Sequence, residues 1–225
     1  MEIKIATKAP PHERMSKLDR TSYNVSYKPK IITQKILKEL NEKVTKEAKI
    51  LDCGCIDGRM LNILEEQEYT HLAGCDIFRH PELPSRFPFK LRDLNKDALE
   101  ISKKGEQFDV IIATEVIEHL KNPYHFFDQA HQHLKQDGLF ILSTPHQANV
   151  YNRLFFLFTG ETLRFAKEKS NRAIITQELI ERCAEHKFEV YKIEASHTTI
   201  PFFKWKFDWP FHATANSLIY FMRKK

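Results

Sequence analysis

The sequence predicts an α/β fold in which helices cover both faces of a parallel sheet, and three observations carry that prediction. Short β-type runs alternate with helical patterns from Lys49 onward, and this alternation builds parallel strands with crossover helices. The first run ends in a loop with two glycines, ILDCGCIDGRM, from Ile50 to Met60. Acidic residues then close the next runs: Asp76 ends HLAGCD and Asp93 ends FKLRD.

The elements follow in order. Residues 1–30 are polar and basic, with Pro10, Pro11 and Pro29, and are expected to form a flexible or capping arm ahead of a domain spanning 31–225. From Ile31, the spacing of Ile32, Ile36, Leu40 and Val44, with Leu37 beside them, is that of one helix face. KILDC reads as a strand, RMLNILEEQ as a helix, and HLAGCD, FKLRD and FDVIIATE as further strands. Asn122 as N-cap and Pro123 at the first helical position open the next helix. Phe127, Ala130 and Leu134 form its inner face, and Gly138 is expected just past its end. GLFILST is the fifth strand. Residues 146–175 read as an irregular, aromatic and basic insertion, and 197–212 as a second insertion on the substrate side or at an interface. Between them Thr176 opens a helix with Leu179, Ile180, Cys183 and Ala184 inward, and FEVYKIEA and ATANSLIYFMRKK are two last strands.

Composition bounds the function classes. The 225 residues suffice for one sizeable core. A formal charge of +5 and a pI near 8.9 permit an acidic partner without requiring one. Cys53, Cys55, Cys75 and Cys183 are too few and too clustered for a disulfide framework, so a reducing, cytoplasmic setting is expected. No stretch reaches the apolar length of a membrane span, and the amino-terminal segment has no apolar signal region.

The loop after the first strand of an open α/β sheet is the usual ligand contact. Gly54 and Gly58 there allow positive φ and close backbone approach. The dinucleotide fingerprint G-x-G-x-x-G is absent, and Asp52 and Asp57 would repel a pyrophosphate. An acidic strand end suits a cationic or hydroxyl-rich ligand. Asp76 follows at about the spacing, roughly 20 residues, where an acidic side chain meets ribose hydroxyls.

ILDCGCIDGR, GCDIF, RDLN, FDVIIATEVIEHL and GLFILSTPH, in this order and spacing, resemble the successive motifs of class I S-adenosylmethionine-dependent methyltransferases. The similarity runs from Lys49 to His146 and is nearest to the branch with ubiquinone-biosynthesis O-methyltransferases and small-molecule and glycan methyltransferases. It implies a Rossmann-like, seven-stranded, mostly parallel sheet whose last strand is antiparallel, and S-adenosylmethionine as cofactor. On it, Asp52, Gly54, Cys55 and Gly58 wrap the methionine part and Asp76 binds the ribose hydroxyls. Ile77 packs on adenine, Asp93 and Leu94 flank it, and Thr114 and Val116 line the methionine side. Ile56 stands where the family usually has glycine. A fold-retaining binding protein that no longer catalyses is the reading this departure motivates.

The sulfonium of that cofactor is already activated, so the protein aligns a nucleophile and removes a proton where the acceptor needs it. His119 in EVIEHL and His146 in STPH, near the ends of strands four and five, are the candidate bases. His119 can equally pack beside the cofactor and orient a loop. Glu115, Glu118 and His119 form an E-x-x-E-H pattern that resembles a divalent-metal site in some relatives, with Glu115 and Glu118 on one helix face. The pattern also occurs widely without metal, and no metal is expected. Cys53, Cys55 and Cys75 lack the four ligands and C-x2-C spacing of a structural zinc site and read as buried small hydrophobes.

Two segments could meet the acceptor. Asn149 to Phe165, NVYNRLFFLFTGETLRF, is similar to a substrate-covering stretch of many such methyltransferases. Its Phe and Leu content suits an apolar, aromatic or lipid-like acceptor, or a helix packed at the sheet edge. In IPFFKWKFDWPFH, period two places Phe203, Trp205, Phe207, Trp209 and Phe211 on one face of a strand, opposite Lys204, Lys206 and Asp208. Such rings bury against a core or a second copy of the chain, making residues 202–211 a homodimer candidate, or they stack RNA bases. The expected acceptor is a small or lipid-like hydroxyl compound, with RNA the alternative.

Overall fold

The computed structural model describes residues 31–160, 175–199, 206–208 and 211–225. The arm 1–30 lies outside these residues, as does most of the aromatic strand. Five helices, α1 (Ile31–Lys43), α2 (Arg59–Glu66), α3 (Pro123–His133), α4 (Val150–Thr159) and α5 (Gln177–Ala184), accompany nine strands among the described residues. These are β1 (Lys49–Cys53), β2 (His71–Asp76), β3 (Phe89–Leu91), β4 (Phe108–Thr114), β5 (Leu134–Pro145), β6 (Phe188–Ala195), β7 (Thr198–Thr199), β8 (Lys206–Phe207) and β9 (Ser217–Lys224).

Seven strands form one sheet in the order β3-β2-β1-β4-β5-β9-β6. All neighbouring pairs from β3 to β5 are parallel. β9 runs antiparallel between β5 and β6. The seven strands and the antiparallel last strand agree with the expectation from the motifs.

Both faces are covered, which explains why the parallel strands read as continuous apolar runs. On one face Leu51, Cys53, Ile111, Ala113, Phe140 and Leu142 pack with Phe126, Phe127, Ile180 and Cys183 of α3 and α5. On the other, Ile50, Val110, Ile112 and Ile141 pack with Ile36 and Leu40 of α1 and Leu61 and Leu64 of α2. The predicted stripe of α1 thus faces the core. Its Glu39 is buried, bound by Lys43 at 2.9 Å, Lys192 at 2.7 Å and the Tyr191 hydroxyl at 2.9 Å. Burial pushes this carboxyl up, but those hydrogen bonds outweigh it and hold Glu39 below its ordinary range.

The Asn122 cap holds, its side chain accepting from the His125 amide at 3.2 Å, and Thr176 caps α5 at the Leu179 amide. Four expectations are corrected. Helix α3 ends at His133, and Leu134 opens β5 by pairing with Phe108. Gly138 is therefore no helix cap; a Cβ there would lie 2.9 Å from the Lys135 carbonyl oxygen. β3 stops at Leu91, because Arg92 turns to bind the Glu100 carbonyl and Asp93 starts a turn through Asn95. The expected irregular stretch contains α4, capped by the Asn149 side chain at Asn152 and closed by Gly160 at φ 72°. The last strand begins at Ser217, after a short 3-10 turn over His212–Thr214. β7 and β8 pair antiparallel as a separate ribbon, and within it only β8 belongs to the predicted aromatic strand.

Candidate active site at the carboxyl end of the sheet

The carboxyl ends of β1, β2, β4 and β5 open on one edge, and the segments after them supply the site. After β1 the chain turns back at once: the amides of Gly54 and Cys55 both donate to the Cys75 carbonyl, at 2.8 and 3.2 Å. Gly54 has φ 76° and Gly58 φ 77°. A Cβ on Gly54 would come within 2.5 Å of Val116 Cγ2, and one on Gly58 within 2.6 Å of Leu83 Cδ1. Both glycines are therefore required by conformation and by space. Gly58 also leads directly into α2.

Ile56, between them, has φ 45°. It keeps the left-handed backbone that glycine adopts freely, at a cost of about 1–2 kcal/mol. Its amide donates to Asp76 Oδ2 at 3.0 Å, while the Ile77 amide donates to Asp76 Oδ1 at 2.7 Å. Burial nevertheless raises the Asp76 carboxyl above its ordinary range, the amides opposing it.

Asp52 is 2% exposed, and its Oδ1 has no hydrogen-bond partner. Burial first, then the charges of Asp76 and Asp57, push it well above the carboxylate range. A buried carboxylate with an unused oxygen and acidic neighbours is arranged for a cationic or hydrogen-donating ligand.

The remaining predicted residues divide. Ile77 is 51% exposed at the end of β2, an apolar surface beside Asp76. Asp93 accepts from the amide and side chain of Asn95 at 3.0 and 2.9 Å and pairs with Lys96 at 3.4 Å. Leu94 is buried, packed in the core cluster on the α3 and α5 face of the sheet. Cys55 is buried, with its thiol pushed up by burial first and then by Asp52 and Asp76, and all four cysteines are free and buried. Thr114 ends β4 opposite Ser143, and Val116 abuts Gly54.

The shared helix face expected for Glu115 and Glu118 does not form. Glu115 sits at φ 56°, and only Ile117–His119 coil, as a 3-10 turn. Glu118 is buried and accepts from Thr144 Oγ1 at 3.4 Å, whereas Glu115 Oε1 accepts from Ser143 Oγ at 3.3 Å. His119 is exposed. No group of three or more His, Cys, Asp or Glu placed to hold a metal ion occurs among the described residues.

His146, one residue past β5, is half-buried, and its amide donates to the Asn216 carbonyl at 2.8 Å. Burial, then Arg153 and His212, lower its pKa, so its imidazole is neutral and able to accept a proton near pH 7. Sequence reasoning passed over Arg153 and His212, which come from segments seven and 66 positions away. The only signal was Arg153 within N-V-Y-N-R.

Residues 25–198 match a family described as a methyltransferase domain. The ubiquinone biosynthesis O-methyltransferase of Glaesserella parasuis is 28% identical over 165 residues, covering 66% of this chain and 68% of that protein. Its counterpart from Rickettsia canadensis is 30% identical over 117 residues, covering 50% of this chain and 48% of that one. A solved S-adenosylmethionine-dependent methyltransferase from Clostridium acetobutylicum superposes with a TM-score of 0.62 at 12% identity, covering 94% of this chain and 98% of that chain. At that identity the likeness speaks to the fold.

Proposed function

This chain belongs to the methyltransferase-domain family, matched over residues 25–198, and is an S-adenosylmethionine-dependent methyltransferase. On that premise we propose that it methylates a small or lipid-like hydroxyl compound at oxygen. The ubiquinone O-methyltransferase relatives support oxygen and a small acceptor. The single observation that carries the cofactor side is the unused Oδ1 of buried Asp52 beside the Gly54–Gly58 loop, since that acidic loop with a glycine at each end offers a cradle to a ligand with a sulfonium and an ammonium group.

In this reading Asp52 and the backbone of Gly54, Cys55 and Gly58 hold the methionine part, with Thr114 and Val116 on its far side. Asp76 takes the ribose hydroxyls. Ile77 and the segment of Asp93 and Leu94 flank the adenine. The interleaving of β9 between β5 and β6 supports treating residues 31–225 as one domain.

The bound cofactor supplies an electrophilic methyl group on a sulfonium. The chain's own work is to hold the acceptor oxygen in line with it and to take the oxygen's proton. Of the two candidate bases, the geometry favours His146. It is half-buried with a depressed pKa, whereas His119 is exposed on a turn. His119 then serves as a wall of the turn that carries Val116.

The test is calorimetry with S-adenosylmethionine, followed by mass spectrometry of cell extracts incubated with protein and methyl-labelled cofactor. Micromolar cofactor binding and a labelled small molecule whose label resists amide and amine cleavage are expected. Label found only in nucleic acid would overturn the acceptor reading, and absent cofactor binding would overturn the site.

A further inference from the structure

The charge of the opening is divided. Asp52, Asp57 and Asp76 gather over β1 and β2, whereas the segments after β5 and before β9 bring His146, Arg153 and His212 together. Three separate tethers build the second group. The His146 amide donates to the Asn216 carbonyl at 2.8 Å. The Asn149 side chain caps α4 at Asn152 and donates to the Ala215 carbonyl at 3.2 Å, joining the start of α4 to the turn that holds His212. The Arg153 amide donates to the Asn149 carbonyl at 3.0 Å, setting Arg153 one turn into the helix. Burial is the larger cause of the lowered His146 pKa, and the charges of Arg153 and then His212 add to it. Among the described residues the guanidinium of Arg153 and the imidazole of His212, both facing solvent, and the half-buried imidazole of His146 make no hydrogen bond or ion pair.

A guanidinium and two imidazoles carried on segments tethered to one another, with no acceptor of their own, are complementary to an oxyanion. The cluster sits past the end of β5, whose Ser143 pairs with Thr114 of β4, so it borders the cofactor side across one strand. Phe211, 59% exposed, places an aromatic ring next to His212.

We infer that this cluster reads the acceptor: the methyl-accepting compound carries an oxyanion, a carboxylate or phosphate, on an aromatic or apolar body, and Arg153 with His212 binds it. The inference rests on the methyltransferase reading above and deepens it. Arg153 and His212 bind and orient the acid, which points the hydroxyl at His146 and at the acidic, cofactor-holding half. Arg153 also acts on His146, its charge adding to the burial that lowers the pKa of that imidazole.

The test uses the protein saturated with S-adenosylhomocysteine, titrated calorimetrically with 3-hydroxybenzoate, 3-hydroxyphenyl phosphate and the neutral 3-hydroxybenzamide. At least one acid is expected to bind about tenfold more tightly than the amide, and the tighter of the two identifies the oxyanion. Arg153→Gln should remove most of that preference and His212→Gln part of it, with Arg153→Lys keeping a fraction. Affinity for S-adenosylhomocysteine should be unchanged in all three. In the NMR titration of Arg153→Gln, the His146 imidazole should move up toward its ordinary value near 6.5, a shift that a structural arginine would not produce. Equal binding of acids and amide, no binding of any probe, or a preference that survives both Gln variants overturns the inference while leaving the cofactor site standing. Failure of S-adenosylhomocysteine to bind overturns the reading beneath it as well.

Discussion

The backbone amide of Ile56 donates to Asp76 Oδ2 at 3.0 Å while Ile56 itself holds φ at 45°. The loop after β1 thus keeps a glycine-type conformation with a β-branched residue in it, and the hydrogen bond to the end of β2 is one of the contacts that hold it there.

Ile56→Gly is therefore expected to relieve strain worth about 1–2 kcal/mol, less the roughly 0.5–1 kcal/mol that glycine's greater unfolded freedom costs. Thermal unfolding should show a variant equal to or slightly more stable than the parent, and calorimetry should show cofactor affinity equal or tighter. A tenfold weaker affinity would mean that the Ile56 side chain is itself part of the pocket wall.

Gly54→Ala should behave in the opposite way. Its Cβ would meet Val116 Cγ2 at 2.5 Å from a backbone at φ 76°, so either Val116 or the loop must shift. The expected result is a loss of cofactor affinity of at least about tenfold with a stability loss of about 1–3 kcal/mol. Gly54→Ala together with Val116→Ala should recover part of the stability. Wild-type binding by the single variant would show that the loop does not approach the cofactor.

Asp52 should make the ligand-free protein less stable as pH rises. Its carboxyl is pushed well above the ordinary range in the folded chain, while in the unfolded chain it ionises near 3.9. Above that pH the unfolded state releases its proton freely and the folded state resists, so the unfavourable contribution grows until the raised folded value is passed. Asp52→Asn is expected to melt higher than the parent at about pH 8, with the gap closing toward about pH 4, and to bind S-adenosylmethionine at least about tenfold more weakly. Melting curves across that range, with and without cofactor, check both parts; a parent and variant that differ by the same amount at every pH would refute the account.

His146→Gln should lower kcat by about 10²–10⁴-fold, the usual worth of a general base, with little change in cofactor affinity. Burial and the neighbouring cations lower the pKa of His146, so activity in the parent should fall on the acid side only below about pH 6.5, and this limb should vanish in the variant. His119→Ala should retain most of its turnover. The reverse ranking of the two variants would make His119 the base.

Much of the fold was legible because its signals are local. The stripe of α1, the Asn122 and Thr176 caps and the continuous apolar runs of β1, β2, β4 and β5 each follow from spacing or residue type. The same holds for the acidic ends at Asp52 and Asp76 and for the glycines of the first loop, since a glycine at φ 76° announces its own conformation.

By itself, then, the sequence determined an α/β sheet with an acidic, glycine-lined loop at the end of its first strand, and the order of motifs that marks a methyltransferase. Only the tertiary structure decided where α3 yields to β5, because Leu134 gains a strand partner in Phe108 that no helical pattern reveals. The left-handed turns at Ile56 and Glu115 likewise form against residue preference and are held by bonds to Asp76 and Ser143. The meeting of His146, Arg153 and His212 depends on β9 entering the sheet between β5 and β6. Burial and long-range hydrogen bonding outweigh local propensity at those places, and local propensity is all that a short stretch of sequence expresses.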